Sequence, residues 1–260
     1  MSLPPAISVS ALVKNYGPVE ALKGIDLSIP AGSFFGLLGP NGAGKSTLIN
    51  ILTGLASPTS GDARVFGRDV VRDYRATRRL IGIAPQEFNF DRFFSIFDIL
   101  VYQAGYFGVP RKEARARAEQ VLDRMGLRDK RNQRSPQLSG GMKRRLLVAK
   151  AMMHDPPVLI LDEPTAGVDV ELRRSLWRYW RGLNERGKTI VLTTHYLEEA
   201  EALCRTLAVI DLGRIIAWGP TEEVVARAGG NLENYFLRER RPEHLAAAAG
   251  DGTRAAEAQP

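Results

Sequence analysis

Phe34-Phe35-Gly36-Leu37-Leu38-Gly39-Pro40-Asn41-Gly42-Ala43-Gly44-Lys45-Ser46-Thr47 is the stretch that decides the fold. Its first five residues form an apolar run of strand length, which stops at a glycine-rich loop. From Gly39 to Ser46 the loop has the spacing G-x-x-x-x-G-K-S, the arrangement that cradles phosphates. Glycines let backbone N–H groups converge on an anion with no side chain in the way. Lys45 supplies a point charge for β- and γ-phosphates, and Ser46 offers a hydroxyl to Mg²⁺. The helical pattern Thr47-Leu-Ile-Asn-Ile-Leu follows, so a helix starting near Lys45 adds its positive end to the cradle. A chance match to the spacing is on the order of one in a hundred for a chain of ordinary composition. The strand before the loop and the helix after it are the setting the motif requires. ATP with Mg²⁺ is the expected ligand.

A phosphate loop also needs a carboxylate for the metal and a group that activates water. Val158-Leu-Ile-Leu-Asp162-Glu163 supplies both at the end of a second apolar run. Asp162 is expected to bind Mg²⁺ and Glu163 to polarise the attacking water as a general base. Alone, such a pair reads equally well as a helix N-cap; the loop at Gly39 tips the balance.

Further outward, Ile7-Ser-Val-Ser-Ala-Leu-Val alternates as a half-buried strand does, and Ile25-Asp-Leu-Ser-Ile ends at the turn Pro30-Ala-Gly. Thr189-Ile-Val-Leu-Thr-Thr is another unbroken apolar run, and Ala208-Val-Ile-Asp with Arg214-Ile-Ile-Ala flanks Leu212-Gly213 as a hairpin. Unbroken apolar strands separated by helical stretches predict an α/β fold, a parallel sheet covered on both faces. Helical periodicity over Ile96 to Phe107 and Arg111 to Met125 predicts a helical subdomain, about 87–150, inserted between core strands. The domain is expected to span 6–225, with a short C-terminal extension, 226–260, and a disordered tail from about 239.

Composition narrows the classes. The chain has 260 residues, 44% hydrophobic and 25% charged, which is ordinary for a globular protein. A single cysteine, Cys204, excludes an internal disulfide. Met1-Ser-Leu-Pro-Pro lacks the basic start and apolar run of a secretory leader, and no apolar stretch approaches the ~20 residues that span a bilayer. A cytoplasmic chain is expected. The net charge of +7 is spread through helical segments interleaved with acidic residues, as on solvated helix faces, so no nucleic acid is expected.

Leu138-Ser-Gly-Gly-Met142 makes a family resemblance specific: it resembles the signature sequence of the ATP-binding cassette (ABC) family. Tyr16, Gln86, Ala166-Gly-Val-Asp169 and His195 stand in family order, resembling the adenine-stacking aromatic, the Q-loop glutamine, the D-loop and the switch histidine. The resemblance covers roughly residues 6 to 225. It implies a P-loop NTPase (RecA-like) core with an N-terminal antiparallel β subdomain and an inserted α-helical signature subdomain. It implies catalytic roles for Glu163, His195 and Gln86, and metal binding by Ser46, Gln86 and Asp162. Nucleotide binding falls to Tyr16, Gly39, Pro40, Asn41, Gly42, Ala43, Gly44, Lys45, Ser46 and Thr47. Ser139, Gly140, Gly141 and Asp169 complete the set. In the family the signature of one subunit caps the γ-phosphate held by the other, so a second copy of the chain is implied as partner. Met142 departs from the glutamine commonest after the signature glycines. His154 and His244 read as ordinary histidines.

Ribosome-acting members carry two cassettes, and DNA-associated members are split by long coiled coils. Neither pattern is present, so the motor of a membrane transporter leads. Between Phe88 and Phe107 lie Phe88, Phe90, Phe93, Phe94, Phe97, Tyr102, Tyr106 and Phe107, eight of the chain's twenty aromatics. The family docks coupling helices of its membrane permease there, which places this chain peripherally on the inner face of the cell membrane; packing within the subdomain is the competing explanation. Gln86-Glu-Phe-Asn-Phe and Leu192-Thr-Thr-His-Tyr-Leu-Glu-Glu-Ala are similar to ABC-2 type exporters of the YadG-like branch. Importer motors share the catalytic motifs, so an importer is the first alternative, and a soluble non-transport ABC ATPase acting on nucleic acid or ribosomes is the second.

Overall fold

The computed structural model describes residues 5–165, 168–194, 196–230 and 235. β1 (Ile7–Tyr16) and β2 (Val19–Ile29) form an antiparallel hairpin. Ile7 and Val9 face inward, a bulge at left-handed Ala11 shifts the register, and Leu12 faces inward again. β3 (Phe34–Leu38) is buried along its whole length and leads through the glycine loop into α1 (Lys45–Leu52). β4 (Ser60–Val65) and the two-residue β5 (Arg68–Asp69) follow, then α2 (Tyr74–Leu80) and β6 (Ile81–Ala84).

The helical segment comes next: α3 (Ile96–Tyr106), α4 (Arg111–Arg124) and α5 (Gly140–Ala151). The expected helices are found within one residue of their read limits. Ser95 caps α3 by accepting from the Asp98 N–H at 3.1 Å, and Gly126 in the left-handed region closes the end of α4. The chain then returns to the sheet with β7 (Val158–Asp162), α6 (Val170–Glu185), β8 (Thr189–Thr194) and α7 (Leu197–Leu203). β9 (Thr206–Asp211), β10 (Arg214–Pro220) and α8 (Thr221–Arg227) follow.

Two sheets result. The antiparallel sheet has the order β2-β1-β4-β5, and the larger has β10-β9-β3-β8-β7-β6, parallel except for β10. Successive residues of the parallel strands enter opposite cores. Phe35, Leu37, Ile160 and Val191 join α1 and the antiparallel sheet, while Phe34, Leu38, Leu161 and Leu192 join the helices on the other face. Burial on both faces is why these strands read as unbroken apolar runs. β3 lies between β9 and β8, with β7 beyond β8. The loop after β3 and the turns after β7 and β8 therefore emerge side by side at the carboxyl edge of the sheet, where open α/β sheets bind ligands. No helix among the described residues is long and apolar enough to cross a membrane.

Candidate functional site

The glycine loop joins β3 to α1 and forms one wall of a cavity of about 470 Å³. Its glycines have different jobs. Gly42, at φ 82, has open space where a Cβ would sit, so only its backbone conformation calls for glycine. A Cβ at Gly39 would fall 2.3 Å from the Ile210 carbonyl oxygen of β9. Gly44, at φ 111, would place one 2.9 Å from the Ala21 carbonyl oxygen of β2. These two glycines let the loop lie against the protein's own strands.

Lys45 is almost fully buried, and its Nζ donates to the carbonyls of Gly39 at 2.6 Å and Pro40 at 3.0 Å, tying the end of the loop back to its start. Burial lowers its pKa, against the opposing pull of Glu163 and Asp162. Pro40, Asn41, Gly42, Gly44, Ser46 and Thr47 line the cavity with it. Gly39 and Ala43 stand behind the lining. The Gly39 carbonyl holds Lys45, and the Ala43 carbonyl accepts from the Gly213 N–H at 2.9 Å.

Gln86, Asp162 and Glu163 close the far wall. Asp162 ends β7 and accepts a short hydrogen bond from the Thr193 hydroxyl of β8. Burial pushes its carboxyl pKa up, while that hydrogen bond, Lys45 and Arg144 oppose the rise. Glu163 is 6% exposed and sits at φ 47, a left-handed conformation that costs a residue with a Cβ roughly 1–2 kcal/mol. Its N–H donates to the Thr193 carbonyl at 3.0 Å, and its Oε2 accepts from Gln86 Nε2 at 3.1 Å.

Several functional positions escaped the sequence. Thr193 braces both Asp162 and Glu163. Arg144, 6% exposed on α5, donates to the carbonyls of Pro85 at 3.3 Å and Gln86 at 2.9 Å, with its guanidinium 4.9 Å from the Phe88 ring centroid. Burial lowers its pKa, opposed by Glu163 and Asp162. The near wall of the cavity comes from Val19, Glu20, Ala21 and Lys23 of β2 and from Leu212 and Gly213 of the β9–β10 turn.

Other expected residues are not brought to the cavity. Tyr16 stands at the end of β1 outside the lining, with Lys14 Nζ 4.8 Å from its ring centroid; its cross-strand partner Val19 forms the wall instead. Ser139, Gly140 and Gly141 begin α5 away from the cavity, Ser139 capping the helix by accepting from the Met142 N–H at 3.3 Å. Asp169 caps α6, accepting from Leu172 N–H at 2.8 Å. His195, Ala166 and Gly167 lie outside the described residues.

Comparison with known proteins identifies the architecture. The profile of the ABC transporter family matches residues 22–166. This chain belongs to that family. As an ABC cassette it is an ATP-binding, ATP-hydrolysing chain. The Nod factor export ATP-binding protein I of Paraburkholderia xenovorans (strain LB400) is 43% identical over 221 residues, 85% of this chain and 73% of the relative. The daunorubicin/doxorubicin resistance ATP-binding protein DrrA of Streptomyces peucetius is 43% identical over 234 residues, 90% of this chain and 71% of its own. A dimeric post-hydrolysis structure of the ATP-binding cassette MJ0796, bound to ADP and Pi, superimposes with a TM-score of 0.77 at 28% identity, covering 83% of this chain and 98% of the other.

The aromatic segment of the cassette divides in two. Phe97 is buried in the core, and Phe107 stacks on His154 with ring centroids 3.7 Å apart, so packing accounts for these. Phe88, Phe93, Phe94, Tyr102 and Tyr106 remain exposed, Phe93 at 74% and Tyr106 at 85%. Phe94 meets Tyr102 edge to face at 4.9 Å, so the loop before α3 and the helix itself present these two rings together.

Proposed function

We propose that this cassette powers an ABC-2 type exporter by hydrolysing Mg·ATP at a site that two copies share. What carries the proposal is a single cavity onto which Lys45, Ser46, Gln86, Asp162 and Glu163 converge, with Glu163 held in a strained backbone conformation. The glycine loop and Lys45 bind the β- and γ-phosphates. Ser46, Asp162 and Gln86 offer a hydroxyl, a carboxylate and an amide oxygen. That is the hard-donor set Mg²⁺ takes beside phosphate oxygens, and among the described residues no cluster of His, Cys, Asp and Glu forms a separate metal cage. Held by these residues, Mg²⁺ would supply positive charge to offset that of the β- and γ-phosphates.

Glu163 accepts the proton of the attacking water. Gln86 can hold Glu163 through Nε2 while its amide oxygen stays free for the metal, so one side chain senses base and cofactor together. His195, next to Thr194, is assigned to the γ-phosphate, and Tyr16 to the adenine, which its place one strand pair from the cavity wall supports.

The signature residues Ser139, Gly140 and Gly141 present the open N-terminus of α5 away from their own chain's cavity. That favours use by a second copy, with Asp169 close to the same junction. The exposed aromatic patch is assigned to the permease subunit, and the chain to the inner face of the cell membrane. The relatives named for Nod factor export and drug resistance support the direction of transport. The ATPase domain is taken as 6–225, with 87–150 as its helical part.

ATP turnover by the purified chain tests the site. Lys45→Ala is expected to lose nucleotide binding, whereas Glu163→Gln keeps binding and loses turnover. Substantial turnover by Glu163→Gln would remove Glu163 from the base role.

A further inference from the structure

Glu199 lies on α7, one residue after Glu198. In the structure it is 1% exposed. Its Oε1 accepts from Thr165 Oγ1 at 2.9 Å and from Trp177 Nε1 at 3.0 Å. Its Oε2 is buried and has no hydrogen-bond partner among the described residues. Burying a carboxylate with one oxygen unsatisfied costs stability, and an apolar residue would cost less. Stability alone does not explain a carboxylate here.

Its partners do. Thr165 stands two residues after Glu163 with only the rigid Pro164 between them. Trp177 belongs to α6, and one helical turn earlier Arg173 covers the Tyr196 ring at 5.3 Å. α6 and the start of α7 are thus joined at two levels, Arg173 with Tyr196 and Trp177 with Glu199, and the Thr165 hydroxyl ties the turn after β7 into the same junction. At its N-terminus α6 also runs beside the signature, since a Cβ built at Gly141 would lie 3.7 Å from the Leu172 side chain. A strained residue such as Glu163 keeps its conformation only when its surroundings over-determine it. Thr193 fixes its N–H from one side, and the Thr165–Glu199 bond fixes the chain beyond it from the other.

We propose that Glu199 is a positioning residue for hydrolysis: its buried carboxylate anchors Thr165, and through it Glu163, to α6 and α7. This rests on Glu163 being the base. Glu199→Ala strands the buried Thr165 hydroxyl and the partly buried Trp177 N–H, and losing one charge-assisted hydrogen bond corresponds to about ten- to a hundredfold. The full-length chain is expected to lose at least about tenfold in kcat, while KM and the affinity for a non-hydrolysable ATP analogue stay within about twofold, because Glu199 does not line the cavity. Glu199→Gln, which still offers an acceptor to both donors, should recover most of the lost kcat. Should Glu199→Ala fail to fold, Thr165→Val removes the same link more gently and is expected to lower kcat about fivefold at unchanged KM.

Wild-type kcat in either folded variant would overturn the proposal. So would a rise in KM with kcat intact, or a Glu199→Gln variant no better than Glu199→Ala. The control is Glu163→Gln. If it turns over normally, the base assignment falls and this proposal with it; if it is inactive while Glu199→Ala is wild type, only this proposal falls.

Discussion

Gly39→Ala is expected to damage the fold more than Gly42→Ala, although both alter the same motif. At Gly39 the new methyl would lie 2.3 Å from the Ile210 carbonyl oxygen, 2.9 Å from Ile210 Cγ2 and 3.1 Å from the Ala43 methyl. The obstructing oxygen belongs to β9, whose parallel pairing with β3 holds Leu38 opposite Val209, so neither side yields cheaply. Overpacking of this kind costs about 1–3 kcal/mol, and a backbone obstacle places this case at the upper end. At Gly42 no atom lies within 4 Å of the added methyl, and the cost is the left-handed backbone alone, about 1 kcal/mol. With 2–4 °C per kcal/mol for a chain of this size class, Gly39→Ala should lower the melting temperature by about 6–12 °C and Gly42→Ala by about 2–4 °C. The assay is thermal unfolding of the nucleotide-free chain, followed by circular dichroism so that bound ligand does not contribute. Equal losses at the two positions, or a Gly39→Ala variant as stable as the wild type, would refute the division of labour among the glycines.

Arg144→Leu leaves the Pro85 and Gln86 carbonyls without their donor, and kcat for ATP should fall about tenfold with nucleotide affinity retained; steady-state kinetics beside an analogue-binding titration checks this. His154 carries a pH dependence, because burial foremost holds its pKa at about 4, below the unfolded value of about 6.5. A depressed histidine favours the folded state fully above the unfolded pKa, and that contribution is lost as the pH falls from about 6.5 through about 4. The difference in melting temperature between wild type and His154→Gln should therefore shrink across that window, as unfolding curves at pH 7, 6 and 5 would show. Phe93→Ser with Phe94→Ser should abolish association with the permease in membrane pull-down while leaving soluble ATPase activity unchanged, since both rings are exposed.

The loop, the Asp-Glu pair and the two long helices of the insertion were legible because each depends on a contiguous pattern. Phe34–Leu38 and Val158–Asp162 announce their double burial as apolar runs, and Gly39–Ser46 announces its ligand by spacing. The near wall of the cavity was not legible. Val19 and Glu20 come from an ordinary-looking strand, and Leu212-Gly213 read only as a hairpin turn; their contribution is shape, set by how the two sheets meet. The four residues of β6 are too few to show a period. Arg144 looks like one more cation in Lys143-Arg-Arg, and Glu199 like one more surface acid, because burial of a charged side chain is decided by neighbours distant in sequence. The signature is the opposite case: Leu138 to Met142 is plain in the sequence, yet its geometry places it outside its own chain's cavity.

The most direct test of the shared site is the mass of the Glu163→Gln chain in solution, measured by light scattering with saturating Mg·ATP. The chain weighs 28.7 kDa, and the account predicts twice that mass with nucleotide and the single mass without it. Gly141→Trp, which crowds the start of α5 outside the cavity lining, should hold the complex at the single mass while ATP still binds. A Glu163→Gln chain that binds ATP and stays monomeric, or a Gly141→Trp form that pairs as readily, would contradict the claim that two copies complete one site.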